Sequence, residues 1–441
     1  MTSQNLYWIW LAETLGPGNP HAIELSEIFG SPFEVYNATE DELVRSGCVS
    51  EVLAHKLADK NLSRAYDIVD FCVSANVGIL TYYDQFYPSR LKTLKDPPCV
   101  LYYKGTLPDF DNKVCIAVVG TRKMSEYGKR SAFRIGYELA SAESVVVSGM
   151  ALGIDSVAAC GAICGKGKTV AVLGCGIDIV YPPQHKRLME IIEENGVVMT
   201  EFAPGTRPLG TNFPIRNRII SGLCQGTLIV EADEHSGAMI TARCALTQGR
   251  DIYALPGNVD ESNATGTNCL IKDGANAITE ARDILDNYNL IYGKNINYLS
   301  LTYAKERYEY DESVFERMGI AARAYNGINA AATKQDPGAS QLRPKRRSFI
   351  SQHEDTPSTS DEKKKKYGEF SAEKRDNTEE IISSLGEFEK EIFSEIPIDR
   401  AISMDSLCAL GYTVGDVMSA LTLLEVKGLI MPLPGSLYIR K

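Results

Sequence analysis

The stretch VCIAVVGTRKMSEYG, residues 114 to 128, decides the fold class. Its opening run is apolar, rich in β-branched residues and of strand length, with no polar alternation, so both faces of the strand are expected to be buried. Gly120 then permits a tight turn, Arg122 and Lys123 hold two cations at its mouth, and Ser125 can cap the helix that follows. The same order recurs downstream in SVVVSG (144 to 149), TVAVLG (169 to 174), GVVMTE (196 to 201), TLIVEA (227 to 232) and DIYALPG (251 to 257). Most of these runs are separated by segments of helical length. Short apolar strands alternating with helices predict an α/β fold, a parallel sheet covered on both faces.

The rest of the chain sets limits on that core. With 441 residues, 44% of them hydrophobic, it has room for roughly two to four domains. No Lys or Arg precedes Arg45, which is unlike the basic start of a signal peptide, and no apolar run has the length of a membrane span. The expectation is a cytoplasmic protein without a membrane partner. The 11 cysteines form no CxxC pair and the five histidines no HExxH, so no metal site, cofactor or disulfide framework is read. Cys160 and Cys164 can share a helix face, which is read as packing.

Residues 1–75 carry helix-like apolar spacing broken by LGPGNP and FGSP, and predict a small helical domain. Residues 76–295 hold the sheet-forming repeat. Residues 296–376, polar and containing PKRR and KKKK, are read as a flexible linker whose basic runs are solvated. Structure is expected again over 377–441. There TVGD can cap a helix bearing Val417, Ala420, Leu421 and Leu424 at i, i+3, i+4, i+7, and GLIMPLPGSLYIRK reads as two strands around Pro434 and Gly435. Helices followed by a terminal hairpin predict a winged helix. Its third helix carries only Lys427 near its end against Asp416 and Glu425, too acidic for a strand-reading wing, so a chain ended near residue 295 is expected to keep most of the core's affinity for a single strand.

A formal net charge of −11 argues against indiscriminate nucleic-acid binding, yet it constrains the average surface and not any one patch. Between Lys113 and Arg134, Arg122, Lys123, Lys129 and Arg130 face the single acid Glu126, and residues 205 to 220 carry Arg207, Arg216 and Arg218 against none. In open α/β sheets ligands bind beyond the carboxyl ends of the strands, where turns into helices offer free N–H groups to anions. Three turns fit: Gly120, Thr121, Arg122, Lys123 and Ser125 in the first, Gly149 in SGMALGID (148 to 155), and Ser236 and Gly237 in EADEHSGAMITA (231 to 242). Together they describe a phosphate cradle. In TNFPIRNRIISG (211 to 222), Arg216 and Arg218 can neutralise consecutive phosphates, Asn217 can bond backbone or a base edge, and Phe213 offers a stacking face. The opposing reading makes both arginines internal salt bridges and Phe213 core.

Nucleotide-enzyme motifs fail in detail. LGCGID (173 to 178) is followed by no third glycine of a dinucleotide fingerprint, and GKGKT (165 to 169) runs from a helix into a strand, the reverse of a P-loop. Asp155 and Asp178 follow Gly-Ile and are read as caps ahead of general bases.

At these residues the sequence resembles the DNA-processing protein A (DprA, or Smf) family. The matching blocks are GTRKMSEYG, SGMALGID, LGCGIDIVYPP, NFPIRNRIISGL, VEADEHSGAMITA and PGNVDESNATGTNCLIKDGA, over roughly residues 80 to 285. The resemblance implies an extended Rossmann core with a SAM or helix-hairpin-helix-like domain before it and a winged helix after it. It also implies sequence-independent binding of single-stranded DNA, homodimers, loading of the RecA recombinase in natural transformation or recombination, and no catalysis. Arg122, Phe213, Arg216, Asn217 and Arg218 match the family's DNA-contacting blocks. Leu152 stands where the family often has Arg, Ala159 where it often has His, and Gly210 where many members have Lys, departures that bear on affinity. The alternative is a phosphoribohydrolase on a related core, which would want a PGGxGT-like loop; the corresponding stretch here is PGNVDES.

Overall fold

The computed structural model describes residues 3–308, 310–320 and 385–397, and beyond these 402–403, 407, 417, 420–421, 424, 427, 429–433 and 437–440. The chain divides into two compact units, Met1–Pro337 and Gly338–Lys441.

In the first unit each apolar run of the repeat is a strand: β3 (Cys115–Val119), β4 (Val145–Ser148), β5 (Thr169–Val172), β6 (Val197–Thr200), β7 (Gly226–Ile229) and β8 (Asp251–Ala254). They lie parallel, with a short β9 (Asn276–Ala277) beside β8. Two further strands, β1 (Gly78–Thr81) and β2 (Val100–Gly105), precede the repeat and pair antiparallel at the β6 edge. The order is β1-β2-β6-β5-β4-β3-β7-β8-β9. The chain therefore winds outward from β3 through β6 and returns to the other side of β3 at β7. A topological switch of this kind opens a crevice at the strand ends.

The strand period of two divides the core between the two faces. Ile116 and Val118 of β3 enter one apolar layer; Cys115, Ala117 and Val119 enter the other. The first layer packs the helices Glu126–Ser141, Ile154–Cys164 and Lys186–Asn195; the second packs Asn212–Gly222, Gly237–Thr247 and Thr265–Lys272. Between Glu126–Ser141 and Ile154–Cys164 the approach is close because Gly136 and Gly161 have no side chain; a Cβ on Gly161 would stand 2.1 Å from the Phe133 carbonyl oxygen.

Residues Ser3 to Ser74 form six helices. Ser31, Thr39 and Ser50 cap three of them, Thr39 within a capping box with Glu42. Trp8, Ile9, Leu11 and Leu25 are buried in the same cluster as Val100 and Tyr102 of the sheet, so these helices share a core with the sheet within one unit.

Packing also continues past residue 295. The first part of the segment read as linker forms the helices Tyr298–Arg307 and Ser313–Arg317, which bury Leu301, Ala304, Val314 and Phe315. The Phe315 ring meets Phe133 edge-on at 5.6 Å, and Glu312 accepts from the buried Lys129 ammonium at 2.9 Å. Local polarity hid a few large apolar side chains, each worth about 1.5–3 kcal/mol on burial. The remainder of that segment lies outside the described residues.

In the second unit the helix Glu387–Glu395 accompanies a three-stranded antiparallel sheet in the order β10 (Ile402–Ser403), β12 (Leu437–Arg440), β11 (Ile430–Leu433). Val417, Ala420, Leu421 and Leu424 are all buried with Ile392 and Leu407, as the helical spacing requires. The TVGD cap and the Pro434–Gly435 turn fall outside the described residues.

Candidate functional site

At the carboxyl ends of β3, β4 and β7 lies a cleft of about 580 Å³. It is lined by Gly120, Thr121 and Arg122 after β3, Ala151 and Asp155 after β4, Phe213, Arg216 and Asn217 from one helix, and Ser236 and Gly237 at the start of another. Eight of the residues expected from sequence thus meet in one place.

Each is held there for a local reason. The turn after β3 is tied down by Thr121, whose N–H donates to the Glu231 carbonyl at 2.7 Å and whose carbonyl accepts from Ile154 at 3.2 Å. Arg122 is left exposed at the rim. In the helix Asn212–Gly222, Pro214 sits in the first turn, where its missing N–H costs nothing. Phe213, Arg216, Asn217 and Ile220 then fall at i, i+3, i+4 and i+7, a single face, and all four line the cleft. Phe213 packs against Tyr181 with ring centroids 5.4 Å apart, while Arg122 and Arg216 bring their guanidinium carbons to 5.8 and 5.7 Å from its centroid. Two cations on one ring is a cation–π arrangement.

Arg216 is only 5% exposed. It donates from Nη1 to the carbonyls of Gly149 (2.9 Å) and Val172, and from Nε to Asn217 Oδ1 at 3.1 Å. Its guanidinium occupies the space over Gly149, where a Cβ would stand 2.6 Å away, so a side chain at that position would displace the guanidinium. Burial pushes its pKa down to about 10, which leaves it charged at neutral pH. Asp155, 5% exposed, accepts from the N–H groups of Gly149 (3.0 Å) and Ala151 (3.4 Å). Burial raises its pKa, and Arg216 and those N–H groups pull it back. Behind them His185 is bonded through Nδ1 to the Met150 carbonyl at 3.0 Å, and burial lowers its pKa. Asp178 likewise holds backbone, accepting from Gly205 at 2.9 Å. Both aspartates thus fix loops and neither caps a helix: the helix Ile154–Cys164 has Gly153 at its N-cap, and Asp178 stands in a turn.

On the far wall, Ser236 and Gly237 open the helix Gly237–Thr247. The Ser236 hydroxyl is buried without a hydrogen-bond partner, and Gly237 faces open space. Free N–H groups of a first helical turn, with the positive end of the helix dipole, favour an anion here. Asn217 Nδ2 reaches the Gly237 carbonyl at 3.5 Å, linking the two helices across the cleft floor.

Four expected residues lie elsewhere. Arg218 is turned to the opposite side of its helix, 6% exposed, ion-paired with Glu201 and with Asp96 at 3.3 Å. Residues two apart on a helix point about 200° apart, so Arg216 and Arg218 cannot line one strand of phosphates. For Arg218 the salt-bridge reading holds. Ser125 binds Glu231 through both its N–H and hydroxyl while capping Gly128, and lines a second cavity. Lys123 is exposed on the turn between the two cavities, and Gly149 lies beneath Arg216. Of the two basic stretches only Arg122 and Arg216 reach the cleft; Lys129 is taken by Glu312 and Glu126. Gly210 lines the cleft, whereas Ala159 is buried in the core. Tyr181 and Glu231 were not singled out from sequence, although each stands inside a matching block; a Tyr next to two prolines and a Glu at a strand end carried no separate signal.

The comparisons with known proteins bear directly on this site. A family model for DNA recombination-mediator protein A matches residues 78–289, which include every cleft residue. DNA processing protein DprA of Streptococcus pneumoniae is 42% identical over 202 residues, 46% of this chain and 71% of that protein. This chain belongs to the DprA/Smf family. Protein Smf of Escherichia coli is 43% identical over 204 residues, 46% of this chain and 54% of its own length. The crystal structure of DprA from S. pneumoniae superposes with a TM-score of 0.55 at 34% identity, covering 64% of this chain and 97% of that one. The family is one of DNA processing and recombination, and its α/β core is the sheet described above. Among the described residues no helix is long and apolar enough to cross a membrane.

Proposed function

We propose that the cleft of this DprA/Smf-family chain binds single-stranded DNA, and that the protein acts in the cytoplasm as a homodimeric mediator that loads RecA recombinase. The observation that carries the reading is the convergence of exposed Arg122, the free N-terminus of Gly237–Thr247 and the Phe213 ring on one cleft. Phosphate oxygens suit the first two, and a base face suits the third. Among the described residues Asp155 is the only carboxylate lining the cleft, and it is engaged by backbone N–H groups, which supports binding without catalysis. A dimer presenting two clefts would raise strand affinity through effective concentration.

Equilibrium binding of single- and double-stranded oligonucleotides across a salt series tests the cleft; preference for duplex would overturn the reading. RecA strand exchange on DNA coated with single-strand-binding protein tests the mediator. Acceleration that Arg122→Ala removes is expected, and no acceleration despite intact binding would reduce the chain to a passive strand binder. Release of free base from nucleotides would instead favour a phosphoribohydrolase. The C-terminal unit, read as a winged helix, is assigned no share of strand affinity. A chain ended after residue 320 should bind single strands within about twofold of the full chain, a difference that corresponds to less than one contact. Ending at 295 is unsuitable, since it uncovers the surface packed by Leu301 and Phe315.

A further inference from the structure

A second cavity, about 520 Å³, lies beside the cleft at the carboxyl ends of β7 and β8. The turn 120–125 is the wall between the two: Arg122 lines the cleft and Ser125 the cavity, with Lys123 exposed on the turn itself. Its volume is that of a small-molecule site. Its apolar lining comes from Val230, Leu255, Pro256 and Ala264. Tyr127 stands at its edge half exposed, held in place by its hydroxyl, which donates to the Pro256 carbonyl at 2.8 Å. The polar lining is of another kind from that of the cleft. Glu126, Glu231 and Glu261 contribute carboxylates and Asn258 and Asn263 amides, and among the described residues no lysine or arginine lines it. Asn263 donates from its side-chain amide to the Lys123 carbonyl at 2.9 Å, which leaves its side-chain oxygen as an acceptor.

This chemistry rejects a phosphate and accepts a flat ring edged with N–H donors. Carboxylates repel the backbone charge, apolar and aromatic surface covers a ring face, and acceptors at the rim meet amino groups. We propose that the cavity is a nucleobase subsite: it takes one base of a single strand whose phosphates lie at Arg122 and Lys123, and prefers an amino-bearing base to thymine. The proposal rests on the strand-binding reading of the cleft. Stacking on Tyr127 serves every base, as it does in other single-strand sites. The discrimination comes from the rim, because cytosine carries an N4 amino donor where thymine carries the O4 acceptor. Glu231 is the architectural member of the set: it fixes Ser125, and Gly128 makes room for it, a Cβ there standing 2.3 Å from its carboxylate.

The test is fluorescence anisotropy of the full chain with dC and dT 20-mers at one salt concentration. One hydrogen bond of ordinary net strength predicts dC binding about three- to tenfold tighter than dT. Glu261→Ala, at an exposed position, should close that gap; Tyr127→Ala should weaken both oligonucleotides, and Tyr127→Phe should restore them. Thermal unfolding of each variant confirms that the fold is retained. Equal affinities for dC and dT in the parent, with Tyr127→Ala binding as the parent does, overturn the subsite. If Arg122→Ala still weakens both oligonucleotides in that case, the strand reading of the cleft survives alone. A parent that binds neither oligonucleotide overturns both.

Discussion

The helix Asn212–Gly222 has two faces that do opposite things with the same side chain. On one, Arg216 meets backbone carbonyls and a phenyl ring at the floor of an open cleft. On the other, Arg218 meets the carboxylates of Glu201 and Asp96, and Glu201 also accepts from the Gly18 N–H at 3.1 Å in the N-terminal helices. Arg216 bonds only neutral groups, and the nearby Asp155 is itself engaged by backbone N–H groups, so it keeps more of its field for a ligand than Arg218, which is paired directly with two carboxylates. The first arrangement serves binding and the second serves assembly of the N-terminal helices on the sheet. Arg64 adds to that assembly by donating to the Pro204 carbonyl at 2.8 Å.

The sharpest way to break this contrast is Arg218→Ala. It strands Glu201 as a buried, uncompensated charge, so denaturant unfolding should show a loss of about 3–5 kcal/mol. The double variant Arg218→Ala/Glu201→Gln should recover part of it, and in both the salt slope of single-strand binding should stay that of the parent. A reduced slope would return Arg218 to the strand. Arg216→Ala should move both readouts. Leaving the Gly149 and Val172 carbonyls unpaired costs about 1–3 kcal/mol of stability, and affinity should fall alongside. Arg122→Ala, at an exposed rim position, should leave unfolding unchanged while affinity drops about tenfold and the salt slope falls by about one.

The smallest effect concerns pH. His185, buried against the Met150 carbonyl and facing Asp155, has its pKa lowered below the ordinary histidine value of 6.5 by burial. A depressed pKa means that the folded state favours the neutral ring. Its contribution is complete above pH 6.5 and is lost as pH falls through the lower folded value. Comparing urea midpoints of the parent and His185→Gln between pH 7.5 and 5 should show the difference shrinking on acidification. A difference that grows instead would mean that the ring is charged in the fold.

The sequence by itself determined six strands of the sheet and their alternation with helices, because a strand buried on both faces needs a continuous apolar run; β1 and β2, which lie outside the repeat, were not read from it. It also named the turns that would converge, since ligand-facing turns follow strand ends in any open parallel sheet. It could not order the strands, and so could not show that β7 returns beside β3 and brings Ser236 and Gly237 to Arg122 and Phe213. Nor could it separate Arg216 from Arg218. Both are arginines two residues apart in one apolar helix, and which of them faces a carboxylate depends on Glu201 and Asp96, distant in the chain. The packing past residue 295 escaped for a related reason: Phe315 sits in a polar stretch, and its burial exists only because Phe133 and Tyr310 are there to receive it. Periodicity is a local property that a segment carries with it; the partner of a charge or of a ring is supplied by the fold.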